Sequence, residues 1–258
     1  AIGFMANNLL PARAGEFARA YAARRLTGVR FSAAFASVAV ERVMDGLVLV
    51  GLLALAIVWG GFAGGTTVGG VSLVRIATIA AAIFGPALAV AFWVVHWPGP
   101  SLRLSRWLFS RILPDAWAAR LLSFIEGLLS GLEALKSPAR LGLITVWSAV
   151  HWLAAAGTYW LAFRAFDIPV HWTAALLLQS LIAFGVAIPS SPGFFGPFEA
   201  VTRAVLAVYG VPAAQAVSYA VAYHVAVFIP ITVLGLWSLS RAHLHLADLR
   251  KGENDSTA

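Results

Sequence analysis

The stretch Asn7-Asn8-Leu9-Leu10-Pro11-Ala12-Arg13-Ala14-Gly15-Glu16-Phe17-Ala18-Arg19 decides how this chain folds. It places a proline, a glycine and three charged side chains between segments that are otherwise apolar. In hydrocarbon, an unpaired backbone group or a lone charge is costly, so such a break is stable only where it is buried in protein or faces a polar cavity. The stretch is therefore a candidate functional site.

A second break, Pro189-Ser190-Ser191-Pro192-Gly193-Phe194-Phe195-Gly196-Pro197-Phe198-Glu199, follows far downstream and can be laid over the first. Each break has a proline and a glycine at the same spacing, then a glutamate, an arginine and a Gly-Val pair. The matching residues are Pro11, Gly15, Glu16, Arg19 and Gly28 in the first copy, and Pro192, Gly196, Glu199, Arg203 and Gly210 in the second. This correspondence predicts an internal repeat.

The composition is that of an integral membrane protein. Of the 258 residues, 60% are hydrophobic and 11% are charged, against roughly 25% charged in ordinary soluble domains. Several apolar runs reach the ~20 residues that span a bilayer as a helix. The fold class is therefore all-α and polytopic. The chain has no cysteine, which excludes disulfides and thiolate metal sites, and neither a metal nor another cofactor is expected.

The order of apolar and basic segments predicts one transmembrane domain over residues 1–258. Because the sequence opens inside an apolar run, we expect further helices before it. The first half is predicted to contain a helix ending at Leu10, a basic amphipathic stretch from Ala12 to Arg30, and spans from Ser32 (the expected N-cap) to Trp59 and from Val71 to Val95. A basic amphipathic segment from Ser101 to Ser137 follows. The second half is predicted to contain a span from Leu141 to Phe163, a helical hairpin from Trp172 to Tyr209, a span from Ala213 to Leu239 and a tail over 241–258.

Arginine-rich segments flanking membrane helices are typically cytoplasmic. This rule places residues 12–30, the amphipathic segment 101–137 and the C-terminal tail on the cytoplasmic side. Counting the spans, the first break then enters from the cytoplasm and the second from outside, which gives two re-entrant hairpins in an inverted repeat of the kind found in secondary transporters. The alternative is two unrelated interhelical loops.

Charged residues inside a predicted span need partners, because a charge at mid-membrane costs about 2.5 to 3.5 kcal/mol on the insertion scale. Glu41 and Asp45 are four residues apart and share a helix face, and Arg42 can pair with Asp45. Their expected further partners are Arg13 and Arg19. A buried ion-pair network that only orients helices explains these charges nearly as well as a transport role.

Four other polar residues have simple structural interpretations. Glu16 and Glu199 each follow a break, where a carboxylate complements the helix dipole, although their recurrence in both halves also favours a functional role. His151 and His224 lie in predicted spans, where a hydrogen-bonded packing role is commoner than a proton relay.

Taken together, the first break, the Glu41-Arg42 and Asp45 set and the second break resemble the flippase-like membrane family that includes the transmembrane region of lysylphosphatidylglycerol synthase. The resemblance covers nearly the whole chain. It implies a multi-pass protein of the bacterial inner membrane that moves a phospholipid or glycolipid between leaflets. The synthase also carries a cytoplasmic aminoacyl-transferase domain that is not in this sequence, so enzymatic activity is not inferred.

The leading hypothesis is a lipid flippase whose partner is a lipid with an anionic or zwitterionic headgroup. The predicted substrate-binding residues are Asn8, Arg13, Glu16, Arg19, Glu41, Arg42, Asp45, Pro192, Gly193, Gly196, Glu199 and Arg203. The alternative is a non-transporting subunit that docks a lipid-modifying or glycosyl-transferring enzyme through segment 101–137; an intramembrane lipid transferase is a third. The net charge of +7 is assigned to membrane orientation and anionic lipid, not to nucleic acid. The sequence leaves oligomerisation open.

Overall fold

The computed structural model describes residues 1–10, 14–62, 65–186, 191–244 and 246. Within these ranges the chain is helical apart from one two-stranded hairpin. The elements are α1 (Ile2–Leu9), α2 (Gly15–Thr27), α3 (Phe31–Trp59), β1 (Thr67–Val68), β2 (Val71–Ser72), α4 (Leu73–His96), α5 (Pro98–Ile112), α6 (Asp115–Gly131), α7 (Pro138–Ala165), α8 (Thr173–Gly185), α9 (Pro197–Val208) and α10 (Ala213–Arg241), with 3-10 turns at Leu132–Lys136 and Pro192–Phe194.

Four of the described helices, α3, α4, α7 and α10, are long and apolar enough to cross a bilayer. They have 24 to 29 residues, against the ~20 that a span needs. These are the four predicted spans, so the all-α polytopic class is confirmed. The segment 101–137 falls within α5, α6 and the 3-10 turn Leu132–Lys136, none of which is among these four.

Helix α3 is the centre of the bundle, because it contacts α2, α4, α6, α7 and α8. Its buried residues Leu49, Leu52, Leu53 and Ala56 recur at the spacing of one helix face,. That face joins the main hydrophobic core, which also takes residues from α7, α8, α9 and α10. Glu41, Arg42 and Asp45 lie on this same central helix.

Helix α8 is short and apolar, and it is enclosed by other helices. Its residues from Thr173 to Ile182 are all buried, and it packs against α3, α7 and α9. A helix that is hydrophobic all round is stable when neighbours cover every side. This packing explains why α8 is apolar on all sides although it is shorter than a membrane span.

The two halves of the chain repeat the same pattern of contacts. In the first half α1 packs on α2, and α2 packs on α3; in the second half α8 packs on α9, and α9 packs on α10. The two sets also exchange partners, because α1 contacts α10 and α8 contacts α3. These contacts match the repeat that the sequence predicts, whereas the re-entrant geometry and opposite entry sides stay predictions.

Some local predictions need correction. Ser32 is not the N-cap of α3: the helix begins at Phe31 after Arg30, and Ser32 is buried. It lies so close to α6 that a methyl group on Gly127 would overlap its hydroxyl.

The glycine-rich turn before α4 contains a β-hairpin in which Thr67 pairs with Ser72. Its turn residues Gly69 and Gly70 both have positive φ, as a two-residue hairpin requires. The predicted tail beyond residue 246 lies outside the described residues.

The opposite-side arrangement can be tested by cysteine labelling, because the chain has no cysteine of its own. Thr27 is the last residue of the short helix α2, and Gly210 lies just after the short helix α9; both are exposed. In right-side-out membranes we expect an impermeant maleimide to label a cysteine at Gly210 directly and a cysteine at Thr27 only after permeabilisation. Labelling of both positions from the same side would exclude the inverted repeat.

The contact between α1 and α10 depends on a glycine. A methyl group built on Gly235 would lie 2.1 Å from the Cβ atom of Met5, so Gly235→Ala must push the two helices apart. We expect a loss of about 1 to 3 kcal/mol, as for other overpacked cores, seen as a lower thermal midpoint in detergent. Gly157→Ala in α7 is the matched control, because nothing lies within 4 Å of the added methyl group. Equal midpoints for both variants would contradict this account.

Candidate functional site

Arg19 on α2 forms a two-pronged ion pair with Glu41 on α3. Its two terminal nitrogens donate to the two carboxylate oxygens at 2.6 and 2.5 Å. This fork geometry is the strongest form of an arginine-carboxylate contact. The hydrogen bond to Glu41 raises the pKa of Arg19 above its usual value, so the guanidinium stays charged. The expected pairing between the first break and the acids of α3 is therefore present.

Arg42 joins the two acids of α3 into one network. One of its terminal nitrogens lies 2.8 Å from Glu41 and 3.0 Å from Asp45. Asp45 is buried, and its other carboxylate oxygen accepts a hydrogen bond from the Ser148 hydroxyl on α7. Two cations and two anions cancel, so these side chains carry no net charge, and they tie α2, α3 and α7 together. We call Arg19, Glu41, Arg42, Asp45 and Ser148 the charge cluster.

The charge cluster lines a cavity of about 750 Å³. The side chains of Arg19, Glu41 and Arg42 are 49, 34 and 33% exposed, respectively, so they are paired but still accessible from the cavity. In addition, the buried Nε of Arg42 has no hydrogen-bond partner among the described residues. The cluster therefore presents paired but partly exposed charged groups to the cavity.

Other walls of this cavity come from α1, α2 and α7. Asn7, Glu16 and His151 add polar groups, and Leu143 and Trp147 add apolar surface. Leu143 and Trp147 are 58 and 64% exposed, so this wall continues onto the outer face of α7. The cavity thus combines a charged interior with an apolar side next to a spanning helix. Among the described residues no three His, Asp or Glu side chains come close enough to hold a metal ion.

The structure divides the predicted site residues into two groups. Glu16, Arg19, Glu41, Arg42 and Asp45 line the cavity, and Arg13 lies outside the described residues. The others do not line it: Asn8, Pro192, Gly193, Gly196, Glu199 and Arg203. The predicted single site formed by both breaks is thus not what the described residues show.

Asn8 and Arg203 have different surroundings from those predicted. The Asn8 side chain donates to the Thr232 hydroxyl on α10 at 2.8 Å, so it joins helices. Arg203 is exposed on α9, away from the cavity. Asn7, the residue before Asn8, faces the cavity. Its side-chain oxygen accepts a hydrogen bond from the backbone N–H of Gly15 at 2.8 Å.

The second break is fixed to α10 through His224. One ring nitrogen lies 2.6 Å from Glu199 and the other lies 2.8 Å from the carbonyl oxygen of Gly193. The other carboxylate oxygen of Glu199 accepts from the backbone N–H of Gly196 at 2.6 Å, which caps α9. Gly193 and Gly196 have φ of +66° and +95°, values that side chains other than glycine rarely adopt. We call Gly193, Gly196, Glu199 and His224 the histidine latch.

The sequence prediction missed Ser148 and the pairing of His224 with Glu199. Ser148 has no motif around it and lies 103 residues from Asp45, so no local pattern could connect the two. His224 was assigned a packing role, and its hydrogen bonds to the second break agree with that role. His224 lies 25 residues from Glu199, so no local pattern connects these two residues either.

Comparison with known proteins gives the evolutionary context of this site. The family model described as the lysylphosphatidylglycerol synthase TM region matches residues 1–235. The chain belongs to this family. A curated relative, a UPF0104 membrane protein of Methanothermobacter thermautotrophicus, is 28% identical over 244 residues, which cover 91% of this chain and 70% of the relative. No solved structure matches the chain.

Both the charge cluster and the histidine latch lie within the residues matched by the family model. The resemblance inferred from the two breaks and from Glu41, Arg42 and Asp45 is therefore confirmed at the level of the family. Membership establishes a membrane protein related to the membrane region of a lipid-modifying enzyme.

The two arginines of the charge cluster should differ in their effect on stability. Arg42→Ala leaves the buried carboxylate of Asp45 with Ser148 alone, and breaking a buried ion pair costs about 3 to 5 kcal/mol. Arg19→Ala leaves Glu41 with Arg42, and the half-exposed arginine contributes about 1 kcal/mol or less. We therefore expect a large fall in the thermal midpoint for Arg42→Ala and a small one for Arg19→Ala. Equal falls would show that burial of Asp45 does not control the network.

Proposed function

We propose that this protein moves a phospholipid or glycolipid between the leaflets of its membrane, with the headgroup held at the charge cluster. The observation that carries the proposal is the partial exposure of Arg19, Glu41 and Arg42 to a cavity inside a membrane protein. Intramembrane charges are costly and mark substrate pathways. A network that served only to orient helices gains most when it is covered, whereas these side chains remain accessible.

The chemistry of the cluster supports an anionic or zwitterionic headgroup. Arginine binds phosphate through the same planar fork that it now offers to Glu41, so a phosphate can replace that carboxylate. Glu41, released in this exchange, can accept a hydrogen bond from an ammonium or hydroxyl group on the same headgroup. The cluster is neutral before and after the exchange with a zwitterion, so no charge is left unpaired.

The walls of the cavity support a lipid rather than a small solute. A volume of about 750 Å³ falls in the range of roughly 300 to 1,000 Å³ typical of ligand sites. Its apolar side, at Leu143 and Trp147, continues onto the exposed face of the spanning helix α7. A headgroup can therefore occupy the cavity while its acyl chains stay against α7 in the bilayer.

In this proposal the protein is a transporter of the cytoplasmic membrane with a cytoplasmic C-terminus, and it is not an enzyme. The docking of a lipid-modifying enzyme through α5 and α6 is the competing proposal. Its support is the exposed aromatic surface of these helices, where Arg111 and Arg120 lie over Trp107 and Trp117 at 4.9 and 5.7 Å. Such a basic aromatic surface also fits a membrane interface, so it does not favour a protein partner.

The test is reconstitution in liposomes with headgroup-labelled lipids, with dithionite quenching to follow their arrival at the outer leaflet. We expect the wild-type protein to accelerate quenching over empty vesicles. Arg19→Ala should slow it by about tenfold, the rate equivalent of roughly 1.4 kcal/mol, because a hydrogen bond to a charged group is worth at least that much.

Arg24→Ala is the matched control. Arg24 lies on the same helix as Arg19 but is exposed and does not line the cavity, so its removal should leave the rate unchanged. No acceleration by the wild-type protein across anionic, zwitterionic and glycosylated lipids would exclude transport and favour the docking subunit. Equal slowing by both variants would show that net charge, not the charge cluster, determines the rate.

A further inference from the structure

The histidine latch has a hydrogen-bond arrangement that depends on its proton content. Both ring nitrogens of His224 face atoms that accept hydrogen bonds: a carboxylate oxygen of Glu199 at 2.6 Å and the carbonyl oxygen of Gly193 at 2.8 Å. The other oxygen of Glu199 already accepts from the N–H of Gly196. A carbonyl oxygen can only accept, and so can an ionised carboxylate.

Counting protons shows what this arrangement requires. Two hydrogen bonds to the ring need two protons, one for each nitrogen. A neutral imidazole beside an ionised carboxylate supplies one proton, so one nitrogen would face its acceptor with a lone pair. The two bonds form together only when the pair holds one more proton. Imidazole is the more basic of the two free side chains, so this proton lies on the ring.

The surroundings make the loss of either bond costly. His224 is 8% exposed, and the rings of Phe195 and Phe198 lie at 4.4 Å from it, with Phe228 at 6.4 Å. Leaving a buried polar group without a partner in such a setting costs about 1 to 3 kcal/mol. The two acceptors and the ring therefore form a unit that is stable in one protonation state and strained in the other.

Among the described residues, the other polar groups that neighbouring helices place near the latch do not supply a second charge to the ring. From α10 comes the phenol of Tyr223, which bonds to Thr158 on α7, and from α7 comes Tyr159, stacked on Tyr223 at 4.4 Å. From α1 comes the uncharged Asn8, bound to Thr232. On α9 itself, Arg203 is exposed.

We propose that Glu199 and His224 form a binding site for one proton, and that this proton holds the second break against α10. In the protonated form the ring bridges α9 and the backbone of Gly193. When the proton leaves, one bridge is lost: either Glu199 or the Gly193 carbonyl is released. The ligand of this second site is thus the proton itself, and the site is separate from the cavity that holds the charge cluster.

The second break also contacts α1, which lines that cavity through Ile2, Phe4 and Asn7. A change at the latch therefore reaches the lipid site through one helix. This step, unlike the proton site itself, rests on the proposed function: it makes lipid movement dependent on the protonation of the latch.

The proton site can be tested without any lipid assay, by nitrogen NMR of the full chain labelled at its six histidines. The His224 signals are identified by their absence in His224→Gln. The measurement covers roughly pH 5 to 8, the range in which an unperturbed histidine changes its charge. At the acid end of this range both ring nitrogens of wild-type His224 should carry a hydrogen. At the alkaline end one should not.

Glu199→Gln is the diagnostic variant, since the N–H of Gly196 fixes the amide orientation. The amide oxygen takes the place next to Gly196, so the NH₂ group faces His224 and donates to it. The ring is then neutral, with its hydrogen on the nitrogen facing Gly193, and both bonds form without an extra proton. We expect the His224 signals of Glu199→Gln to stay constant over the whole pH range. Glu126→Gln on α6 is the matched control. In this variant the His224 signals should change with pH as they do in the wild type.

The outcomes separate the two proposals. His224 signals that do not change with pH in the wild type, or that change equally in Glu199→Gln, overturn the proton site.

In the liposome assay, the rate of lipid movement by the wild type should change across the same pH range, while the rate for Glu199→Gln should stay at the wild-type acid value. If no lipid moves at any pH, the proposed function fails, and the NMR result still decides the proton site. If both proteins show the same pH dependence of lipid movement, the latch does not control it.

Discussion

The fold depends on one electrostatic requirement, that the charges carried by a membrane-spanning helix be paired. Glu41, Arg42 and Asp45 are placed on α3, the helix that the other elements surround. Their partners, Arg19 and Ser148, come from the hairpin before α3 and from α7. Because an unpaired charge there is so costly, this requirement fixes α2 and α7 against α3. The same pairs line the cavity, so stability and ligand access use the same atoms.

The two breaks solve the same problem in different ways. In each, a short helix after the break is joined to the next long helix by a carboxylate and a basic side chain, Arg19 with Glu41 and Glu199 with His224. The first pair is permanently charged and open to a cavity. The second is enclosed by aromatic rings. We propose an anion site at the first pair and a proton site at the second.

Helix α1 connects these two regions. Asn7 faces the cavity and bonds to Gly15, and the adjacent Asn8 bonds to Thr232 on α10. The helix also contacts the 3-10 turn of the second break and packs tightly on α10 at Gly235. Helix α1 is therefore the element through which the first break, the second break and α10 are in direct contact.

The sequence by itself determined the membrane class, the four spans, the two breaks and the family, because these depend on local composition and spacing. It also predicted Arg13 and Arg19 as partners of the acids on α3, since a charge in a span must be paired and the segment before α3 is the nearest source; the structure shows Arg19 in that role. Only the tertiary structure separated Arg19 from Arg203. The packing of α2 on α3 brings Arg19 to Glu41, whereas Arg203 is exposed on α9. Likewise, Ser148 and His224 meet their partners through the packing of distant segments, which no local pattern encodes.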